Sequence, residues 1–239
     1  MKTHVMIPTY NEVENVAELI SGIRTALPDS RILFVDDSSP DGTAEEVGRA
    51  GKGDSRVGLL LRPREVRGRG WAGRDGFVKC LSEGAEAVVE MDGDLSHQPQ
   101  FLPSLLEPLQ RDTADVVIGS RYTPGGKDMD RPLSRRWTSS FARWYLNTLL
   151  GLGIEDPTSG YRAFSRAALT GISVETLTAR DPFCVTEILY RCRRKGLRIQ
   201  EVPIEFVDRK AGESKLGLLT LARYLGKALK LRISGYSER

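Results

Sequence analysis

The sequence is poor in several features that mark whole classes of protein. Its three cysteines, Cys80, Cys184 and Cys192, are odd in number and form no CxxC pair. This argues against a disulfide framework or a zinc ribbon and predicts a reducing compartment. The two histidines, His4 and His97, lie far apart. No run approaches a membrane span, which needs about 18 apolar residues, and the first residues lack the apolar core of a signal peptide.

The net charge is also small. The 35 basic and 32 acidic residues give +3 at neutral pH, which is too little to indicate a bulk nucleic-acid binder. With 40% hydrophobic and 28% charged residues, the composition is that of an ordinary globular protein. The 239 residues suffice for one α/β domain, and we find no linker or repeat. We therefore predict a single domain over residues 1–239.

Short apolar runs alternate with segments of helical periodicity. The predicted strands are His4–Ile7, Arg31–Val35, Val57–Leu61, Ala87–Met91 and Val116–Gly119. The predicted helices between them lie near Glu12–Ala26, Thr43–Ala50, Ala72–Glu83 and Gln100–Gln110. This alternation predicts an α/β fold with a mostly parallel central sheet flanked by helices. Farther along, we predict a long helix over Ser134–Leu150, a turn at DPTSGYR and an extended run over Arg198–Val207.

Two carboxylates follow the fourth predicted strand, in MDGDLSHQP. Asp92 and Asp94 flank Gly93 directly after an apolar run. The plainer interpretation is a polar turn, since Asp and Gly favour turns. However, two close carboxylates raise each other's pKa unless a cation is present. Mg²⁺ or Mn²⁺ prefers oxygen ligands and can bridge phosphates, so Asp92 and Asp94 are candidate ligands of such an ion with a bound diphosphate.

Polar residues also follow the first two predicted strands. Pro8, Tyr10 and Glu12 follow the first strand, and Asp37 follows the second in VDDSSPDGT. Parallel sheets bind ligands at the carboxyl ends of their strands, which predicts a common site there. The plainer interpretations are an acidic residue in a first helical turn for Glu12 and a loop into the next helix for VDDSSPDGT.

Seven motifs together resemble one family. They are IPTYNEVEN, VDDSSPDGT, LLRPRE, MDGDLSHQP, GSRY, DPTSGYRAF and FVDRKAGESKLG, in this order from Val5 to about Gly217. The ordered set resembles the polyprenol-phosphate mannosyltransferases, also called dolichol-phosphate mannose synthases, of glycosyltransferase family 2. The resemblance implies a GT-A fold and inverting transfer of mannose from GDP-mannose to a polyprenyl phosphate, with Mg²⁺ or Mn²⁺.

The resemblance also implies roles for individual residues. The nucleoside pocket would be lined by Pro8, Tyr10, Glu12, Val35 and Asp37. The metal and diphosphate would be held by Asp92 and Asp94, with Gly93 against the nucleotide. Arg121, in GSRY, would lie near the transferred group, and Arg209 and Lys215 would close over the phosphates. Two positions depart from the family pattern: Ser96 replaces a glutamine ligand of some relatives, and Arg69 replaces a leucine in a GLG segment.

A phosphate monoester acceptor changes what the site must do. Its second pKa is about 6, so it is already an anion at neutral pH and needs no general base; we therefore nominate none. Arg121, Arg135 and Ser139 would hold the lipid phosphate. Arg135 and Ser139 are four residues apart and share a face of the predicted helix. From sequence alone, a solvated basic face is an equally good interpretation of Arg135.

The chain ends in a basic amphipathic segment, about 216–234. Its predicted apolar stripe comprises Leu218, Leu221, Ala222, Leu225 and Leu229, and its basic stripe comprises Arg223, Lys227 and Lys230. One interpretation is a helix packed on the core. The other is a helix lying on an anionic bilayer, which would keep the protein peripheral at the cytoplasmic face of a membrane, alone or with a separate membrane subunit.

Two other functions stay open at this stage. One is a UDP-glucose-dependent enzyme that makes polyprenyl-phosphate glucose, with the same fold and metal. The other is a subunit that binds nucleotide without turnover, which the joint presence of Asp92, Asp94, Arg121 and Lys215 argues against.

Overall fold

The structure is a computed structural model that describes residues 1–128, 133–207 and 218–235, without the side chains of residues 133–138 and 218–220. Its strands are β1 (Thr3–Thr9), β2 (Arg31–Asp36), β3 (Val57–Leu61), β4 (Ala87–Glu90), β5 (Val116–Ser120), β6 (Lys127–Asp128), β7 (Arg162–Ser165), β8 (Ile199–Pro203) and β9 (Glu205–Phe206). Its helices are α1 (Val16–Ala26), α2 (Thr43–Ala50), α3 (Arg69–Ser82), α4 (Leu102–Gln110), α5 (Leu133–Leu150), α6 (Arg166–Gly171), α7 (Cys184–Arg194) and α8 (Leu218–Ser234).

Seven strands form the central sheet in the order β3-β2-β1-β4-β7-β5-β8. The neighbours among β3, β2, β1 and β4 pair in parallel, as do β5 and β8. The predicted α/β fold with a mostly parallel sheet is therefore confirmed. Because parallel strands carry their carboxyl ends to one edge, the polar residues after β1, β2 and β4 meet there.

One strand of the central sheet, β7, was not predicted from the sequence. β7 is antiparallel to both β4 and β5 and lies between them. Only four residues long, it begins with Arg162, whose side chain is fully buried. The guanidinium donates hydrogen bonds to the carbonyl oxygens of Val185 and Pro157, which offset the loss of water. A buried arginine at the start of a short strand breaks the apolar pattern by which strands are recognised.

The two faces of the sheet bury alternate residues of the same strands. Val5, Ile7 and Phe34 belong to a cluster on one face that includes residues of α1 and α4. Met6 and Val35 belong to the cluster on the other face, with residues of α3, α6 and α7. This period of two is what a sheet covered on both faces requires. Val35, predicted to line a nucleoside pocket, is thus a fully buried core residue.

The last helix packs on the protein with one face. Ala228 is fully buried, and the Tyr224 ring meets Phe183 edge-on at a centroid distance of 5.2 Å. The inward face comprises Leu221, Tyr224, Leu225, Ala228 and Leu231. The predicted apolar stripe was therefore placed partly wrong: Ala222 and Leu229 are exposed. Tyr224 carries a hydroxyl and a large apolar ring, so counting aliphatic residues alone shifted the stripe around the helix.

Candidate active site

A cleft of about 560 Å³ opens at the carboxyl ends of β1, β2 and β4. Seven of the residues predicted for a ligand site line it, namely Pro8, Tyr10, Glu12, Asp37, Asp92, Gly93 and Asp94. The remaining lining residues are Thr9, Arg67, Gly68, Arg69, Ala72 and Pro182. The convergence of three strand ends therefore brings the predicted acidic residues into one cavity.

The loop after β4 holds Asp92 and Asp94 through neighbouring side chains. The Asp92 N–H donates to His97 Nδ1 at 3.0 Å, and the His97 ring stacks on Tyr161 at a centroid distance of 4.9 Å. Ser96 donates to Asp94 Oδ1 from its backbone N–H at 3.1 Å and from Oγ at 2.6 Å. The serine that departs from the family pattern thus orients one of the two candidate metal ligands.

Gly93 lies close against the end of β1. A Cβ built at this position would be 3.0 Å from Thr9 Cγ2 and 3.4 Å from Glu12 Cγ, tighter than ordinary contact. A side chain here would press on Thr9 and Glu12, which would have to shift by a few tenths of an ångström. The glycine therefore lets the loop that carries Asp92 and Asp94 lie close to the end of β1.

Arg69 joins the two acidic positions of this strand end. It is the first residue of α3, and its Nη1 donates to Glu90 Oε1 at 2.7 Å while Nη2 donates to Asp92 Oδ1 at 3.1 Å. Burial alone would lower its pKa, but the charges of Glu90 and Asp92 outweigh burial and raise the pKa of Arg69 above its ordinary value. The permanent positive charge of Arg69 therefore lies against the carboxylates of Glu90 and Asp92.

The opposite wall of the cleft is built around Asp37. Its carboxylate accepts from the Gly68 N–H at 2.8 Å and from Arg62. Arg67 donates from Nε to the Asp37 carbonyl oxygen at 2.8 Å, and its guanidinium lies 4.8 Å from the centre of the Tyr10 ring. Tyr10 is 47% exposed. The wall thus offers an aromatic face and a fixed carboxylate, groups that suit a nucleobase and its polar edge.

Arg121 is held in a buried ion pair. Its Nε and Nη2 each donate to the Asp156 carboxylate at 2.7 Å, and its guanidinium lies 5.1 Å from the centre of the Phe206 ring. Burial alone would raise the pKa of Asp156, but the Arg121 charge and hydrogen bonds bring that pKa below its ordinary value. Asp156 was missed because DPTSGYR reads as a turn, and its partner lies 35 residues away.

The remaining predicted residues cannot be placed in the same detail. Arg209 and Lys215 lie outside the described residues, and so does the side chain of Arg135. Ser139 lies in α5 and is partly exposed. Their predicted contacts with phosphates stay predictions.

The carboxylates of the cleft fit a hard divalent cation. Within the described ranges, no group of three or more His, Cys, Asp and Glu side chains could hold an ion by itself. Mg²⁺ is commonly held by one or two carboxylates, with substrate phosphates and water as its other ligands. The Asp92 carboxylate already accepts from a guanidinium, so its position suits positive charge. The pair therefore fits Mg²⁺ or Mn²⁺ bound together with a diphosphate.

The mostly parallel sheet with an acidic cleft at its strand ends is the arrangement of the GT-A glycosyltransferases, and the structural comparison supports this fold. The solved glucosyl-3-phosphoglycerate synthase of Mycobacterium tuberculosis, in complex with Mn²⁺ and UDP, superposes with a TM-score of 0.73. The match has 21% sequence identity over 99% of this chain and 81% of that one, so it supports the fold alone.

Sequence comparison identifies the family within this class of glycosyltransferases. The family model described as "Glycosyl transferase family 2" matches residues 4–172. An undecaprenyl-phosphate mannosyltransferase of Micrococcus luteus is 42% identical over 90% of this chain and 88% of its own length. A polyprenol monophosphomannose synthase of Mycolicibacterium smegmatis is 37% identical over 100% and 89%. The chain belongs to glycosyltransferase family 2, in the group of the polyprenyl-phosphate mannosyltransferases.

Proposed function

We propose that the chain transfers mannose from GDP-mannose to a polyprenyl phosphate, with inversion at the anomeric carbon. The observation that carries the proposal is the acidic cleft, lined by Asp92 and Asp94, in a chain 37–42% identical to two enzymes named for this product. In this proposal the nucleoside lies against Tyr10 and Asp37, and the diphosphate lies toward Asp92 and Asp94.

The leaving group governs what the cleft residues do. Negative charge grows on GDP as the sugar departs, so cations near the diphosphate stabilise the transition state. A divalent ion on Asp92 and Asp94 would supply part of this stabilisation when bound. Arg69 contacts one of these carboxylates, that of Asp92. Arg209 and Lys215 are proposed to act on the phosphates from outside the described ranges.

The acceptor needs no base, because a phosphate monoester is already anionic at neutral pH. The positions of the two histidines are consistent with a reaction that uses no general base. His97 is buried, and its Nδ1 accepts from the Asp92 N–H. His4 is buried on β1, near Glu83, and does not line the cleft. In the proposal, Arg121, Arg135 and Ser139 orient the acceptor phosphate; for Arg121 this requires a contact beyond its ion pair with Asp156.

The lipid acceptor lies in a membrane, and two helices carry features that suit attachment at its surface. None of the helices within the described ranges is long and apolar enough to span a bilayer. On α5, Phe141 is 48% and Trp144 61% exposed; on α8, Leu229 is 45% and Ile233 78% exposed. The two helices contact each other, with the Tyr145 hydroxyl donating to the Leu225 carbonyl at 3.3 Å. We call these four exposed side chains, Phe141, Trp144, Leu229 and Ile233, the apolar surface.

Basic side chains on α8 support the same orientation. Arg223, Lys230 and Arg232 are exposed on the helix that carries Leu229 and Ile233. Each Lys or Arg near an anionic bilayer contributes about 1 kcal/mol. Lys227 was also predicted to face the lipid, but it forms an ion pair with Asp181. The proposal is therefore peripheral attachment through the apolar surface together with Arg223, Lys230 and Arg232.

A donor panel tests the proposed function. Purified protein is given labelled GDP-mannose or labelled UDP-glucose with Mn²⁺, and either a polyprenyl phosphate or the unphosphorylated polyprenol. The expected result is label in the lipid extract only with GDP-mannose and the phosphate. Transfer from UDP-glucose alone would assign the glucosyl product instead, and equal transfer to the alcohol would overturn the acceptor assignment.

A further inference from the structure

We propose that Arg69 binds the donor diphosphate and competes with the divalent ion for Asp92. When the ion takes Asp92, the Arg69 Nη2 donates to a phosphate oxygen instead. The inference rests on the proposed function, because it concerns the same diphosphate site. It extends that function by giving a second, metal-independent cation for the leaving group.

Glu90 anchors the guanidinium from below the cleft. The Glu90 side chain is 1% exposed and accepts from Arg69 Nη1 at 2.7 Å. Its other oxygen, Oε2, is buried without a hydrogen-bond partner among the described residues. A buried carboxylate needs a counter-charge, so Glu90 holds one edge of the guanidinium in place. The other edge, through Nη2, contacts Asp92 at the longer distance of 3.1 Å.

The backbone beneath Arg69 is fixed as well. The N–H of Gly70 donates to the Arg180 carbonyl at 2.8 Å, and the N–H of Gly68 donates to Asp37 at 2.8 Å. A Cβ at Gly70 would lie 2.0 Å from the Ala179 carbonyl oxygen, so this segment packs closely against its neighbour. With both flanking residues bonded, movement of Arg69 is confined to its side chain. A short rotation of the guanidinium can exchange Asp92 for a nearby phosphate.

The charges of the site favour this exchange. Glu90 and Asp92 are two residues apart on one strand end, and one guanidinium contacts both. A divalent ion on Asp92 repels Arg69, while the diphosphate that arrives with the ion attracts it. Arginine suits this exchange because its guanidinium carries several N–H donors, so Nη1 can stay on Glu90 while Nη2 donates to a phosphate oxygen. The side chain is 23% exposed and lines the cleft, so it is accessible to a ligand.

The neighbouring arginine of the cleft has a different role. Arg67 also lines the cleft, but its guanidinium donates to the carbonyl oxygens of Asp37 and Ser38. Those carbonyls belong to the wall opposite the aspartates. Arg69 is therefore the arginine of this lining that contacts a candidate metal ligand.

Two binding measurements without turnover test the inference. The first is Mn²⁺ binding in the absence of nucleotide, followed by electron paramagnetic resonance of the free ion. The second is binding of a fluorescent GDP analogue in excess EDTA. For Arg69→Leu, Mn²⁺ should bind about tenfold more tightly and metal-free GDP about tenfold more weakly, the effect of losing one charge-assisted contact. A purely structural role would weaken both, and that result overturns the inference, as does no change in either.

Control variants separate charge from contact and from folding. Arg74→Leu removes the same charge from α3, but Arg74 pairs with Asp75 and does not line the cleft, so both affinities should stay at wild type. Should Arg69→Leu not fold because Glu90 is left unpaired, Arg69→Leu with Glu90→Gln restores the charge balance. Its metal-free GDP binding should still fall several-fold, because the direct contact is gone; wild-type GDP binding in that double variant overturns the inference.

Failure of the proposed function gives a different pattern. A wild-type protein that binds neither GDP nor UDP in the presence of Mn²⁺ would overturn the proposed function together with the inference. A wild-type protein that binds GDP with Mn²⁺, and an Arg69→Leu variant that behaves like it in both measurements, would overturn the inference alone.

Discussion

Charged residues serve opposite purposes in two halves of the molecule. In what we call the cleft half, formed by β1, β2, β4 and the start of α3, Asp92 is 30% and Arg69 23% exposed, and both face a cavity. In the frame half, formed by β5, β7, α5, α7 and α8, Arg121, Asp156, Arg162 and Glu187 are buried. Asp92 and Arg69 can therefore meet a ligand directly, whereas the buried charges of the frame half are held by other groups of the protein, and the acceptor role proposed for Arg121 would come in addition to its ion pair with Asp156.

The frame half nevertheless supports the cleft. Glu187 accepts from the backbone N–H groups of Thr178 and Ala179 and pairs with Arg191 at 2.6 Å. The next residue, Arg180, accepts from the Gly70 N–H at its carbonyl. Glu187 thereby fixes the segment on which the start of α3 rests. Substitutions in the frame half should act on stability first, and those in the cleft half on activity first.

The largest expected effect is in the cleft half. Asp94→Asn should lower mannose transfer on the order of 10³-fold, about 4 kcal/mol of transition-state stabilisation, because it removes a charged ligand of the divalent ion proposed to stabilise the leaving diphosphate. Thermal unfolding should match wild type. Asp29→Asn, at an exposed acid outside the cleft, is the control. Near-normal turnover by Asp94→Asn would contradict the expectation that substitutions in the cleft half act on activity first.

The frame half should respond in stability. Asp156→Asn leaves Arg121 buried beside a neutral partner and should lower the free energy of unfolding by about 3 kcal/mol. Urea unfolding followed by circular dichroism measures the loss. Arg121→Met combined with Asp156→Leu removes both charges and should recover most of it. A loss below about 1 kcal/mol for Asp156→Asn would show that the Arg121–Asp156 ion pair does little to stabilise the fold.

The apolar surface lies on α5 and α8, and membrane binding through it would give the frame half a function other than stability. Lys230→Glu with Ile233→Ser should lower flotation with anionic liposomes about tenfold at low salt, through lost charge attraction and apolar burial. Lys52→Glu, an exposed charge reversal outside α5 and α8, is the matched control. Wild-type binding should also fall as salt rises. Equal flotation of both variants would point to a separate membrane subunit.

The smallest expected effect concerns His4 on β1. Burial lowers the pKa of His4 below its ordinary value, and neither ring nitrogen has a hydrogen-bond partner among the described residues. Below about pH 6.5 the unfolded chain therefore takes up a proton that the folded protein does not, and stability falls as pH falls.

His4→Leu removes this titration. Between about pH 6.5 and 5.5, wild type should lose more unfolding free energy than the variant. Transfer activity of the variant at pH 7.5 should be unchanged, since His4 does not line the cleft. If the unfolding free energies of the two proteins change equally with pH over this range, the pKa of His4 is not lowered in the folded protein.

The cleft half was largely predictable from sequence because its signals are local. Each polar group follows an apolar strand, and parallel topology brings the strand ends together without further information. The frame half was not predictable in the same way. Asp156 meets Arg121 across 35 residues, and Lys227 meets Asp181 across 46. Val35 is fully buried and is not among the residues that line the cleft, so its place in a nucleoside pocket stays a prediction of the resemblance.

We propose that Asp92 and Asp94 act on the donor through a divalent ion. The most direct measurement follows labelled mannose from GDP-mannose into polyprenyl phosphate with Mn²⁺, then with excess EDTA, then with Mn²⁺ restored in excess. We expect transfer, loss and recovery for wild type, and for Asp94→Asn transfer on the order of 10³-fold lower than wild type even with Mn²⁺ in excess. Full transfer by wild type in excess EDTA would contradict this proposal.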